Sequence, residues 1–149
     1  MGQIVGLDAN VFIYTLEGHP VFGQAASQLL RAVANGSVKT TASELVYLEV
    51  LSGKNIETAD QELHAQTFLA GIGMAYHPID RQLLIKAAGL RRKHGLRSPD
   101  AIHLASAVAT GATYFVTNDH GLLKKSVPGL RIVSLERVYA EILQPLSIS

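Results

Sequence analysis

The sequence predicts an α/β fold built on a parallel sheet. Short apolar, strand-like runs alternate along the chain with longer stretches whose apolar residues recur at helical spacing, the pattern of strands joined by crossover helices. Helix start and stop signals, such as Ser98-Pro99-Asp100 and Asn35-Gly36, fall where that alternation needs them. No repeat, low-complexity tract or linker breaks the 149 residues, so one domain over 1–149 is expected.

Residues 4–7 make the first apolar run, which ends at Asp8. Residues 21–34 carry apolar side chains at helical spacing and stop at Asn35-Gly36. Residues 38–41 are a short β candidate. Ser43 is suited to cap the next helix, which carries Leu45, Leu48, Val50 and Leu51 and ends near Gly53. Residues 63–70 read as helical and 74–77 as a weak strand. Asp80 is placed to cap a helix through Leu83, Leu84, Ala87, Ala88 and Leu90. The clearest helix opens at Ser98-Pro99-Asp100, where Ser98 can cap and proline suits the first turn. Ile102, Leu104, Ala105, Ala107, Val108 and Ala109 follow, and Gly111 closes it. Residues 114–116 form a β-rich run leading into Thr117-Asn118-Asp119, residues 131–133 an edge strand, and residues 138–143 a final helix.

A hydrophobic fraction of 48% against 17% charged residues predicts a packed protein rather than a disordered one. With no cysteine, disulfides, thiolate metal sites and thiol nucleophiles are excluded. Residues 1–7 lack a basic segment ahead of a long apolar run and do not read as a signal peptide. No apolar stretch approaches membrane-spanning length, so a cytoplasmic protein without a membrane role is expected. The net charge of +1 says little about partners. Locally, Arg91, Arg92, Lys93 and Arg97 form a basic cluster that could be a phosphate-contacting patch. On the cluster alone, a solvated helix end, where cations are favoured beside the last carbonyls, is the stronger reading.

Two carboxylates sit just past predicted strands, Asp8 and Asp119. Ligands of open α/β sheets gather outside the carboxyl ends of the strands, so both are expected at one crevice. Parallel connectivity puts the start of the Asp100 helix at the opposite edge from the end of the following strand, so strand-end reasoning does not bring Asp100 to that crevice. Several acidic oxygens converging without sulfur favour a hard cation, Mg²⁺ or Mn²⁺. Such ions position a phosphodiester, activate water and stabilise the leaving oxygen. Each residue also has an ordinary explanation: Asp8 as a helix cap, Asp100 serving a helix dipole, Asp119 as turn chemistry. His103, three residues after Asp100, could face the same way as a ligand or proton shuttle, although a hydrogen-bonded structural histidine is the stronger reading.

The combination resembles a known family. Leu7-Asp8-Ala9-Asn10-Val11-Phe12-Ile13-Tyr14 is similar to the opening strand and D-x-N turn of PIN domains. Ser43-Glu44-Leu45-Val46-Tyr47-Leu48-Glu49-Val50-Leu51 resembles their second segment, Ser98-Pro99-Asp100-Ala101-Ile102-His103-Leu104-Ala105 the third, and Phe115-Val116-Thr117-Asn118-Asp119 the fourth. The four occur in the family's order, and the chain's size is most like the VapC-type toxin ribonucleases of toxin–antitoxin pairs.

The resemblance implies a three-layer α/β/α sandwich with a central parallel sheet. It implies a Mg²⁺- or Mn²⁺-dependent endoribonuclease, the toxin of a type II toxin–antitoxin pair, hydrolysing RNA with a metal-activated water. By match of position, Asp8, Glu49, Asp100 and Asp119 are its acidic site residues. Asp8, Asp100 and Asp119 hold metal, and Asn10, Ser43 and Thr117 are polar supports. Glu44 competes with Glu49, which is favoured because it occupies the matching place before Val50-Leu51. A cognate antitoxin and a homodimer are the implied partners. His120-Gly121-Leu122 follows Asp119 where many relatives carry another acidic residue, which makes metal dependence a firmer expectation than a two-metal site. Two rivals remain. One is a catalytically degenerate PIN-like module that binds RNA or protein. The other is a haloacid-dehalogenase-type phosphatase, opposed by Asn10 standing where that chemistry needs a second aspartate.

Overall fold

Five short β-prone runs, Ile4–Leu7 (β1), Lys39–Ser43 (β2), Tyr76–His77 (β3), Tyr114–Val116 (β4) and Arg131–Val133 (β5), pair into one sheet in the computed structural model, which describes residues 3–148. The Met1-Gly2 start considered above lies outside the described residues. All pairings are parallel, and the strand order is β3-β2-β1-β4-β5. The chain winds outward from β1 to one side through β2 and β3, then to the other through β4 and β5. The order therefore reverses between β1 and β4, the place where loops leaving adjacent strands diverge and open a crevice.

Side-chain alternation assigns the two faces of this sheet. Val5, Leu7 and Val116 point to one face, and Phe115 to the other. The first face is covered by Ala9–Glu17 (α1), Gly23–Ala34 (α2), Leu45–Leu51 (α3) and Ala59–Gly71 (α4), and by Leu135–Val138 (α8). A π-helical turn, Tyr139–Leu143, continues α8 into Gln144–Ile148 (α9). Val11, Phe12, Leu29, Val46, Leu69 and Ile142 fill that side. The second face is covered by Arg81–His94 (α5), Ser98–Ala109 (α6) and His120–Leu123 (α7), through Leu83, Leu104, Ala105 and Leu122. Each such side chain contributes about 1.5–3 kcal/mol when fully buried. The result is the expected three-layer α/β/α sandwich.

Gly6 lets α6 lie close on the second face. A Cβ built there would stand 2.9 Å from Ala107 Cβ and 3.1 Å from Phe115 Cδ1. Only a residue without a side chain admits this helix against β1.

The elements differ from the sequence reading in several places, among them α7, which was assigned no element, and the final helix, read as 138–143, which begins at Leu135 and runs through the π-helical turn to Ile148. Residues 9–17, assigned no element, form α1. Asp8 caps it by accepting from Ala9 N–H at 2.8 Å, and Gly18 closes it in the left-handed region at φ 62°. Helix α2 starts at Gly23 instead of residue 21, because His19 Nδ1 accepts from both Val21 and Phe22 N–H at 3.1 Å and holds a turn there. Ser43 ends β2, yet its Oγ still accepts from Leu45 N–H at 3.1 Å at the mouth of α3. Ser98 is the first residue of α6, and the cap position belongs to Arg97, whose side chain bonds no backbone N–H of the helix.

Candidate active site

Adjacent strands β1 and β4 deliver their following residues to one point. Asp8 N–H donates to Val116 O and Thr117 N–H to Val133 O, each at 3.0 Å, so the ladder continues one residue past each strand. Thr117, fully buried, then joins two acidic residues with one hydroxyl. It donates to Asp8 Oδ2 at 2.6 Å and accepts from Asp119 N–H at 3.0 Å. Asn10 Nδ2 lies 3.5 Å from the same oxygen, while Asn10 Oδ1 is shielded from solvent and bonds to no other group. The carboxylates also serve as helix caps. Asp119 Oδ1 accepts from Gly121 N–H at 2.8 Å and Leu122 N–H at 3.2 Å at the start of α7, leaving Oδ2 toward the cleft. Cap and site roles coexist on single residues, one oxygen for each in Asp119.

Asp100 belongs to the same cleft, which corrects the expectation that the start of its helix lies at the far edge. A crossover helix runs antiparallel to the strands it joins. It ends beside the start of the next strand, so it begins at their carboxyl edge. From there Arg97 reaches Asp100 Oδ2 through Nε at 3.1 Å and Asp119 Oδ2 through a terminal nitrogen at 3.3 Å. One turn into α6, buried His103 directs Nε2 at Glu49 Oε1, its hydrogen-bond partner, and lies 3.7 Å from Asp8 Oδ1. Its Nδ1 bonds to no other group. The cleft thus has two acidic pairs, each with a basic side chain: the His103 imidazole beside Asp8 and Glu49, the Arg97 guanidinium beside Asp100 and Asp119.

Burial pushes the Asp8 carboxyl above the usual carboxylate range. The charge of His103, the Thr117 hydroxyl and the Ala9 N–H oppose this without cancelling it. Burial alone would depress the His103 imidazole, but the hydrogen bond to Glu49 and the charges of Asp8, Glu49 and Asp100 carry it upward. Helices α1 and α6 begin at the cleft, and their positive ends favour the carboxylates placed there.

The structure separates residues that the sequence reading grouped. Glu49 turns inward to His103, whereas Glu44 is exposed at the mouth of α3. Arg91, Arg92 and Lys93 are exposed in the last turn of α5, where the helix dipole favours cations. Arg97 stands apart from them, over the acidic cleft. Ser43 supports the backbone entering α3 and bonds to none of the four carboxylates. Sequence reasoning missed the pairing of Arg97 with acids and did not identify Glu49 as the partner of His103. The available signal was spacing, each lying three residues from Asp100 along or beside one helix.

The donor set suits a hard divalent cation: carboxylate, hydroxyl and amide oxygens with a single imidazole. Asn10 Oδ1, buried with accepting capacity to spare, fits an aqua ligand in such a site. As the side chains lie, no three His, Asp or Glu residues among those described are gathered tightly enough to chelate one ion. Arg97 bridges Asp100 and Asp119 instead.

A parallel sheet in 3-2-1-4-5 order with carboxylates at its switch point defines an α/β domain with an acidic site, and the family follows from the chain itself. The PIN domain model matches residues 5–127, and the chain belongs to the PIN domain family. Two curated relatives, Ribonuclease VapC45 of Mycobacterium tuberculosis (strain CDC 1551 / Oshkosh) and Ribonuclease VapC49 of M. tuberculosis (strain ATCC 25618 / H37Rv), are each 30% identical over 116 residues. The match spans 72% of this chain and 77% of theirs. Among solved structures, a toxin–antitoxin complex from Klebsiella pneumoniae superposes with TM-score 0.63 at 23% identity, over 87% of this chain and 95% of that one. VapBC2 from Rickettsia felis, bound to a fragment of promoter DNA, superposes with TM-score 0.65 at 18% identity, over 89% and 98%. These likenesses establish the fold. Among the described residues no helix is long and apolar enough to cross a membrane.

Proposed function

We propose that this chain is a divalent-metal-dependent endoribonuclease acting as the toxin of a type II toxin–antitoxin pair, with Asp8, Glu49, Asp100 and Asp119 as its working carboxylates. The observation that carries the reading is the convergence of these four side chains, from four separate segments, on the switch point of a PIN-domain sheet. The curated relatives are named ribonucleases, which supports RNA as the substrate.

Asp8, Asp100 and Asp119 would hold the ion, Mg²⁺ or Mn²⁺. When bound, it supplies Lewis-acid polarisation of the phosphodiester and lowers the pKa of attacking water. Thr117 fixes the rotamer of Asp8 and the backbone of Asp119. His103 holds Glu49 toward the cleft, where its carboxylate orients the nucleophile and accepts its proton. Asn10 accepts from ordered water beside Thr117. Hydrolysis breaks the bond from phosphorus to the leaving oxygen as water oxygen attacks in line. The proposed partners are a cognate antitoxin, in keeping with the toxin–antitoxin complexes that share this fold, and a second copy of the chain. The cytoplasm, where RNA is met, is the proposed place of action.

Cleavage of a labelled RNA in Mn²⁺, in EDTA and by Asp8→Asn tests the assignment. The expected result is cleavage by the parent protein in Mn²⁺ alone and a loss of at least a hundredfold in the variant. Undiminished cleavage by Asp8→Asn sinks it. A second reading, a degenerate RNA- or protein-binding module, draws on the absence of a ready chelating trio, and would give RNA binding without cleavage in any metal.

A further inference from the structure

We propose that Arg97 is a built-in stand-in for the divalent ion, holding Asp100 and Asp119 together in the metal-free protein and leaving them when the ion binds. This rests on the metal-dependent reading of the cleft. Four acidic side chains around one point repel one another when ionised, and the structure sets one basic side chain beside each pair. The two basic side chains are unequal in their freedom to move. His103 is packed inside α6 with a side chain 1% exposed, so it stays between Asp8 and Glu49. The Arg97 side chain is 74% exposed and lies across the mouth of the cleft.

Among the described residues the Arg97 side chain has no hydrogen bond or ion pair beyond those to Asp100 and Asp119. It occupies the cap position of α6 without bonding any backbone N–H of that helix, and both its ion pairs are to acids of the cleft. Among the described residues no lysine or other arginine pairs with Asp8, Glu49, Asp100 or Asp119. The guanidinium therefore competes with a divalent ion for the same carboxylate oxygens. Its fork spans two carboxylates, as an ion would, but an exposed arginine gives way at little cost because water and salt screen such pairs. Once released, the same cation stands at the rim, where a substrate phosphate passes.

The test compares the 149-residue chain with Arg97→Gln, Arg97→Lys and Asp8→Asn, titrating Mn²⁺ by calorimetry and recording thermal melts in EDTA and in saturating Mn²⁺. Removing a competitor tightens its rival, so Arg97→Gln is expected to lower the Mn²⁺ Kd by about three- to tenfold, with Arg97→Lys between it and the parent. In EDTA Arg97→Gln melts below the parent, and saturating Mn²⁺ erases the difference. A merely structural arginine would lower both melts equally. Equal or weaker Mn²⁺ binding by Arg97→Gln overturns the proposal while leaving the metal site intact, provided Asp8→Asn loses binding. Absence of binding in both the parent and Arg97→Gln removes the metal reading and this proposal together.

Discussion

Replacing Thr117 by valine isolates the hydroxyl that ties the two halves of the cleft together. The side chain is fully buried, so nothing from solvent substitutes for what is removed. Its 2.6 Å bond to Asp8 Oδ2 is charge-assisted when Asp8 is ionised, and such bonds contribute about 1.5–3 kcal/mol. The Asp119 N–H loses its acceptor at 3.0 Å as well, an ordinary bond of about 0.5–1.5 kcal/mol. Together they give about 3 kcal/mol of lost stability, or roughly 6–12 °C in Tm for a domain of this size. Thr117→Ser supplies the control, because it keeps the hydroxyl and removes one methyl at about 1 kcal/mol. Melts followed by circular dichroism in EDTA near neutral pH should rank parent above serine above valine. A valine variant as stable as the serine variant refutes the reasoning, since the hydroxyl would then contribute nothing beyond packing. Valine should also raise the Asp8 pKa further, because the bond it deletes favours the ionised carboxylate.

The remaining predictions concern pH and packing. His103 is shifted above its ordinary 6.5, so its stabilisation is full below that value and is lost as pH rises through the folded-state pKa. Asp8, shifted above 3.8, acts in the same direction: the folded chain holds its proton more tightly, and stability falls as pH rises from 3.8 through the raised value. In EDTA, Tm should therefore fall as pH is raised past 6.5, and His103→Gln should flatten that slope; an unchanged slope in the variant rejects His103 as its source. Gly6→Ala forces a methyl to within 2.9 Å of Ala107 and should cost about 1–3 kcal/mol by displacing α6. Ala107→Gly in the same chain should recover much of that loss, and a double-mutant cycle without coupling would show that the two positions do not press on each other.

The fold class was legible because its signals are local: apolar runs of strand length, helical spacing, and punctuation by Asn35-Gly36, Pro99 and Gly111. Asp8 and Asp119 were legible because strand ends mark the crevice of an open sheet. Helices α1 and α7 were not, since each is opened by an aspartate of the cleft, and one carboxylate gives the same signature as cap and as site residue. Asp100 was assigned to the wrong edge, although a crossover helix runs antiparallel to the parallel strands it joins and so begins at their carboxyl edge. Motif order alone pointed to the cleft. The role of Arg97 was hidden by its neighbours, as Arg91, Arg92 and Lys93 make a basic run that obscures one arginine facing acids. Contacts between distant segments, such as Glu49 with His103, leave no mark in local periodicity.

The bond from Thr117 to Asp8 closes a loop of 109 positions. During synthesis Asp8, Asn10 and Glu49 leave the ribosome early, but the strand that must lie beside β1 arrives only with residues 114–116, and the hydroxyl that locks Asp8 comes directly after it. A nascent chain halted before that point has an exposed β1 edge and an unlocked carboxylate. The cleft therefore cannot close before β4 is in place at the centre of the sheet.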